Sequence, residues 1–143
     1  MSISQDTKRQ FTEYTKLQAM DHRFIDKDRE RKILEEGVMR FGIPLDDGRA
    51  IMLGCAAENG FAVERDAEAK IKVVLERFAA NRGRIDRRQF EDAVAIYKSY
   101  TNGHLRDAEV RARLKRIMED NGWRPKRAGL FRSRKWFNGI QAG

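Results

Sequence analysis

The stretch Gly83–Phe90, which reads GRIDRRQF, contains the clearest helix start in this 143-residue chain. Asp86 and Gln89 stand at the positions of a capping box. In that motif the carboxylate accepts from the backbone N–H three residues on, and the Gln side chain bonds back to the first residue. Ile85 and Phe90 occupy the two positions of a hydrophobic staple, which fixes how the chain enters the helix. The stretch therefore predicts a helix that begins just after Asp86.

Glycines divide the rest of the chain into segments of helical length. Glycine adopts the left-handed conformation that ends helices at little cost, so each of these positions predicts a helix end. The glycines concerned are Gly42, Gly60, Gly83, Gly103 and Gly122. Between them, apolar residues recur with helical spacing, as in Ile71, Val74, Leu75 and Phe78.

Six helices follow from these signals. We predict them at 6–22, 27–41, 47–58, 64–80, 87–101 and 107–120, with Asp46 as the cap of the third. Short loops make consecutive helices neighbours, so the expected fold class is all-α, a compact array of about six helices arranged as helical hairpins.

Positive charge is concentrated at the C-terminal end. The chain carries +8, and its last 23 residues contain six Lys or Arg and no acid, together with both tryptophans. We therefore expect a helical domain over 1–122 and a basic, aromatic tail over 123–143 that is partly docked on it. Trp123 and Leu130 are expected to pack against the domain, with the arginines outward, because free aromatic residues on a surface favour association.

A cationic segment on a nearly balanced body predicts an anionic partner. The candidate partner-binding residues are Arg124, Lys126, Arg127, Arg132, Arg134, Lys135 and Trp136 in the tail, with Arg111 and Lys115 in the sixth helix. We favour an anionic protein surface, as for an adaptor or assembly factor. The alternative is nucleic acid bound without sequence preference, with cations on phosphates and rings on bases. An anionic membrane surface ranks third.

The catalytic and metal-binding motifs that a sequence can display are missing. There is no nucleophile elbow, no glycine-rich phosphate loop and no zinc-ligand spacing, so we predict no enzyme, no cofactor, no metal and no small-molecule substrate. An enzyme whose site is assembled from distant helices would leave no local motif, and this alternative stays open. The acids of Asp26–Glu30 fit the first turn of a helix, where the dipole favours them. Cys55 is expected to be a buried apolar residue. With no secretory signal and no apolar run of about 18 residues, the expected location is the cytoplasm.

One short pattern occurs twice. Gly83–Phe90 and Gly103–Val110 both read Gly, any residue, aliphatic, three of any type, Glu or Gln, apolar. The pattern resembles the second half of an EF-hand calcium loop, and is similar to the turns of TerB-like (tellurite-resistance) helical domains. The resemblance covers about residues 58–120 and implies helix-loop-helix units. Ordinary helix-end chemistry explains the same pattern, and this alternative stays open.

Calcium binding does not carry over with that resemblance. If the glycine is the sixth residue of the loop, the first, third and fifth ligand positions are Phe78, Ala80 and Arg82, and in the second copy Lys98, Tyr100 and Asn102. Calcium requires several carboxylate oxygens. We therefore expect units that do not bind calcium.

Overall fold

A computed structural model describes residues 3–141; residues 1–2 and 142–143, at the ends of the predicted domain and tail, lie outside them. By their internal contacts the residues form two units, one up to Asp66 and the other from Ala67 onward. In chain order the elements are α1 Gln5–Ala19, β1 Phe24–Ile25, α2 Lys27–Met39, α3 Leu45–Asn59, β2 Ala62–Val63, α4 Glu64–Phe78, β3 Arg84–Ile85, α5 Arg87–Tyr100, α6 Asp107–Asp120, β4 Arg124–Pro125 and α7 Lys135–Asn138. The all-α class is confirmed.

The first unit packs α1, α2 and α3 around a core that includes Phe11, Ile33 and Met52, all fully buried. The two-residue strands β1 and β2 pair in parallel. Asp26 caps α2, because its side chain accepts from the backbone N–H of Arg29 at 2.7 Å. The acids that follow Asp26 lie in the first turn of this helix, as predicted.

The second unit has its core on α4, α5 and α6, with Ile71, Phe90 and Leu114 among its fully buried residues. The predicted capping box is present: Asp86 accepts from the N–H of Gln89 at 2.7 Å, and the Gln89 side chain accepts from the N–H of Asp86 at 3.0 Å. The strands β3 and β4 also pair in parallel, which places Arg84 opposite Arg124.

The two units repeat one arrangement, helix–strand–helix–helix–strand. The carbonyl before the first strand accepts from the second strand in both, Arg23 from Ala62 at 3.0 Å and Gly83 from Arg124 at 2.8 Å. Helix α2 corresponds to α5 with an offset of 60 residues, and α3 corresponds to α6 with an offset of 62. The offset changes because the starts of α2 and α3 are 18 residues apart, whereas those of α5 and α6 are 20 apart.

The repeat in the structure differs from the one that the short sequence pattern indicates. That pattern matched Gly83–Phe90 with Gly103–Val110, only 20 residues on. In the structure Ile85 is a strand residue opposite Pro125, whereas Leu105 lies in the turn before α6 and in no strand. The structural repeat therefore has about three times the spacing of the sequence pattern.

The six predicted helices are all present, and the five glycines predicted at their ends all have positive φ. The predicted cap of the third helix is wrong. Helix α3 begins at Leu45, directly after Pro44, so Asp46 lies in its first turn and makes no capping bond. Proline suits a helix start because its missing N–H is not needed there.

The predicted tail contributes to the core of the second unit. Trp123 is half-buried against that core, as expected, and Phe137 is buried in it. Phe90 contacts the ring of Trp136 with centroids 5.4 Å apart. The expectation for Leu130 is wrong: it is 91% exposed, because the chain turns outward between two segments that are bonded together.

Candidate anion-binding site

The chain after β4 forms a loop whose backbone is held at several points. Ala128 and Ser133 exchange two backbone hydrogen bonds, of 2.8 and 3.0 Å. Between them the chain reverses, with positive φ at Gly129 and Arg132. The indole N–H of Trp136 donates to the carbonyl of Lys126 at 2.9 Å. We call residues 126–134 the basic loop. Because its ends are tied to each other and to the core, its backbone has a defined course.

A cavity of about 490 Å³ opens between the basic loop and β3. All its lining residues are cations: Arg84, Lys126, Arg127, Arg132 and Arg134. We call this cavity the basic pocket. Four of its residues belong to the basic loop, and the fifth, Arg84, is brought in by the pairing of β3 with β4. Among the residues that the structure describes, no Asp or Glu lines it.

The five cations have no internal compensation. Their side chains make no hydrogen bond or ion pair with another residue in 3–141. The Nε of Arg134 is buried and has no hydrogen-bond partner. A buried donor without a partner costs roughly 1–3 kcal/mol, and like charges around one cavity repel each other. A bound anion would relieve the repulsion.

Two large apolar side chains stand exposed at the end of the basic loop. Leu130 is 91% exposed and Phe131 is 87% exposed, and the two follow one another in the turn between Ala128 and Ser133. We call this pair the apolar tip. Adjacent exposed apolar residues on a held loop are typical of a contact surface.

Other predicted site residues in the tail lie outside the pocket lining. Arg124 is exposed in β4, and Lys135 is exposed at the first position of α7. Trp136 holds the basic loop through its bond to Lys126 and its contact with Phe90, so the structure gives it a supporting position.

The predicted residues of α6 make intramolecular contacts. Arg111 donates two hydrogen bonds to Glu91, at 2.7 and 2.8 Å, and one to Asp107 at 2.6 Å. The hydrogen bond from Arg111 lowers the pKa of Glu91. Hydrogen bonds from Lys98 and then from Arg111 lower the pKa of Asp107.

Lys115 also has a contact within the chain. Its Nζ donates to the carbonyl of Ile140 at 2.7 Å and lies 5.2 Å from the ring centre of Phe137. The structure therefore does not bring Arg111 and Lys115 into the basic pocket. The binding of a partner by Arg111 or Lys115 stays a prediction.

Arg84 is the site residue that the sequence analysis missed. It lies about 40 residues before the basic loop, and in the pattern of Gly83–Phe90 it stands at a position that any residue can occupy. The signal that would have found it is the repeat: an aliphatic-Asp helix start and an Asn-Gly-aromatic helix end occur in both units, and the strands beside them pair in both.

Three further features of the described residues concern the thiol, the metal-ligand residue types and the apolar character of the helices. Cys55 is 3% exposed, as predicted, and burial raises the pKa of its thiol. Within residues 3–141 no cluster of three or more His, Cys, Asp or Glu side chains is placed to hold a metal ion. No helix in the same range combines the length and the apolar character needed to cross a membrane.

Comparison with family models, with curated proteins and with solved structures gave no match. The resemblance to TerB-like and EF-hand-like units therefore stays a prediction.

Proposed function

We propose that the chain is a non-enzymatic interaction module that binds the anionic surface of a partner protein through the basic pocket and the apolar tip. The observation that supports this most strongly is the convergence of five uncompensated cations on one cavity. Charge-assisted hydrogen bonds from arginine to carboxylate or phosphate are among the strongest polar contacts that a surface offers.

The distribution of charge between the units supports the same proposal. The second unit has 19 Lys and Arg against 9 Asp and Glu, a net charge of +10; the first has 11 against 13, a net charge of −2. A local excess of this size attracts anionic partners and speeds their association, an effect that salt screens. An anionic partner is therefore directed to the unit that contains the pocket.

A protein fits the surface better than nucleic acid does. A single strand is normally bound along a cationic groove that follows its backbone, with aromatic rings under successive bases. Here the cations line one cavity, and Arg111 and Lys115 of α6 bond to residues of the chain itself, so they do not extend the basic loop into a continuous groove. Exposed apolar residues beside arginines fit a protein interface, in which an apolar core is surrounded by a polar rim and Arg and Phe are enriched.

The test uses the full chain and charge-matched variants. The pocket variant combines Arg127→Gln with Arg132→Gln, two exposed residues whose side chains make no internal bonds. The control combines Lys72→Gln with Arg77→Gln, which removes the same charge from an exposed face of α4 in the same unit. Binding of a labelled, glutamate-rich peptide is followed by fluorescence anisotropy at about 50 mM salt, where electrostatic contacts are strong.

We expect the unmodified chain and the control to bind the peptide with similar affinity, and the pocket variant to bind about tenfold more weakly, the equivalent of one charge-assisted contact. Equal losses in the two variants would show that net charge alone governs binding and would contradict a defined site. Binding of a single-stranded oligonucleotide in preference to every peptide tested would replace the protein partner with the nucleic-acid alternative.

A further inference from the structure

We infer that the basic pocket binds a phosphoryl group on a side chain of the partner, so that phosphorylation of the partner controls binding. This inference rests on the proposed function, because it names the group that occupies the pocket. Its basis is the number and kind of cations that meet there, four arginines and one lysine around a single cavity.

A phosphate monoester matches this set of donors better than a carboxylate. It carries about two negative charges near neutral pH and three oxygens that accept hydrogen bonds, whereas a carboxylate carries one charge and two oxygens. Each guanidinium offers a planar fork of donors that fits such oxygens in pairs. Recognition of phosphorylated segments by clustered arginines is a recurring mode of peptide binding.

The half-buried Arg134 gives this inference a specific residue to test through its unpartnered guanidinium. Its Nε atom is buried, and it is one of two side-chain nitrogen or oxygen atoms in residues 3–141 that are both buried and without a partner; the other is the Nε of Arg49 in the first unit. Arg134 lines the basic pocket. The terminal nitrogens of Arg134 have no partner in residues 3–141 and are not among these enclosed atoms, so they are the donors that a ligand oxygen can reach.

The shape of the site favours a protruding group over a flat surface. The five cations line a concavity, and the apolar tip projects from the same loop. A bilayer presents its phosphates in a plane, whereas the cations here line a concavity. A phosphorylated side chain enters a concavity, while the residues beside it lie within reach of Leu130 and Phe131.

The experiment compares peptides that differ at one position. A labelled peptide of neutral composition carries phosphoserine, serine or glutamate at its centre, and binding to the full chain is measured by anisotropy. We expect the phosphoserine peptide to bind at least about tenfold more tightly than either of the others. Inorganic phosphate is expected to displace it, and chloride at the same ionic strength is not.

Arg134→Lys is the most selective variant. It keeps the positive charge but removes the planar fork of guanidinium donors, and no hydrogen bond within residues 3–141 is lost because the Arg134 side chain makes none. We expect it to weaken binding of the phosphoserine peptide by about tenfold, while binding of the glutamate-rich peptide changes by less than about twofold. Circular dichroism verifies that the variant is folded.

The outcomes separate the two proposals. If the phosphoserine and glutamate peptides bind equally, the phosphoryl inference is overturned and the proposed function stands. A chain that binds neither the phosphoserine peptide nor the glutamate-rich peptide would overturn both. Tighter binding to vesicles that contain phosphoinositides, or to a 5′-phosphorylated oligonucleotide, would assign the same phosphate chemistry to a lipid or to nucleic acid and overturn the protein source.

Discussion

The two units share a backbone arrangement and differ in the side chains placed on it. Residue for residue, Phe24 in β1 corresponds to Arg84 in β3, and Glu64, directly after β2, corresponds to Lys126, directly after β4. Phe24 and Glu64 are buried in the first unit, whereas Arg84 is exposed and lines the basic pocket with Lys126. The pocket therefore depends on a few side chains and on the added basic loop, while the order of helices and the strand pairing beneath it are shared by both units.

An ion pair in the first unit is replaced by a different contact at the equivalent positions of the second unit. In the first unit Glu30 is 2% exposed, and its carboxylate accepts from the Nε of Arg65 at 2.7 Å. The corresponding residues of the second unit are Phe90 and Arg127. Phe90 is buried against Trp136 and Phe137. With phenylalanine in place of glutamate, the equivalent arginine has no internal partner and lines the pocket, while the ring anchors the segment after the basic loop.

The largest expected effect comes from removing that anchor. Phe90→Ala is expected to lower the free energy of unfolding of the second unit by roughly 3–5 kcal/mol, because it deletes a fully buried ring and leaves a cavity beside Trp136. Both tryptophans of the chain are in this unit, so their fluorescence during urea unfolding reports on it selectively.

The control for this prediction is Leu130→Ala, which removes a large apolar side chain from the exposed tip. Its effect on stability is expected to stay within about 0.5 kcal/mol. If Phe90→Ala is equally mild, the segment after the basic loop is not anchored through Phe90, and the contrast drawn with Glu30 fails.

The sequence predicted the helices well because their signals are local. Capping at Asp86, glycine helix ends and apolar spacing each involve residues within a few turns of one another. It missed the pairing of β3 with β4, since two-residue strands have no periodicity and the partners lie 40 residues apart. For the same reason it identified the cations of the basic loop but not Arg84, and it placed Arg111 at the surface for binding although Glu91 and Asp107 hold it.

An intermediate effect on the free energy of unfolding is expected when Arg65, the first of the two equivalent arginines, is replaced. Arg65→Ala leaves the buried carboxylate of Glu30 without its partner, so it is expected to cost about 1–3 kcal/mol, measured by circular dichroism during urea unfolding. Arg127→Ala removes an exposed side chain that has no internal contact and is expected to change stability by less than about 0.5 kcal/mol.

The same two variants are expected to affect peptide binding in the opposite order from their effect on stability. Arg127→Ala is expected to weaken binding of the phosphoserine peptide, and Arg65→Ala to leave it unchanged once the sample is folded, because only Arg127 lines the basic pocket. A loss of stability in Arg127→Ala as large as that in Arg65→Ala would mean that the two positions are used alike, which would contradict the division of roles between the units.

The smallest effect on stability is expected at Arg111, the arginine of the second unit that is hydrogen-bonded to carboxylates of the same unit. Arg111→Ala is expected to lower the free energy of unfolding by about 1 kcal/mol or less at neutral pH, since Glu91 and Asp107 are about half exposed and solvent screens their contacts. Both carboxyl groups have a lowered pKa in the folded chain, so their contribution is present above the unfolded values of about 4 and is lost as the pH falls through the folded ones.

The difference in stability between Arg111→Ala and the unmodified chain should therefore shrink as the pH falls below about 4, where the carboxyl groups become protonated. Urea unfolding at a series of pH values, followed by tryptophan fluorescence, measures this. Peptide binding near neutral pH should be retained by this variant, because Arg111 does not line the basic pocket. A difference that is independent of pH, together with a loss of binding, would show that Arg111 acts on the partner and not on Glu91 and Asp107, and would extend the site from the basic loop onto α6.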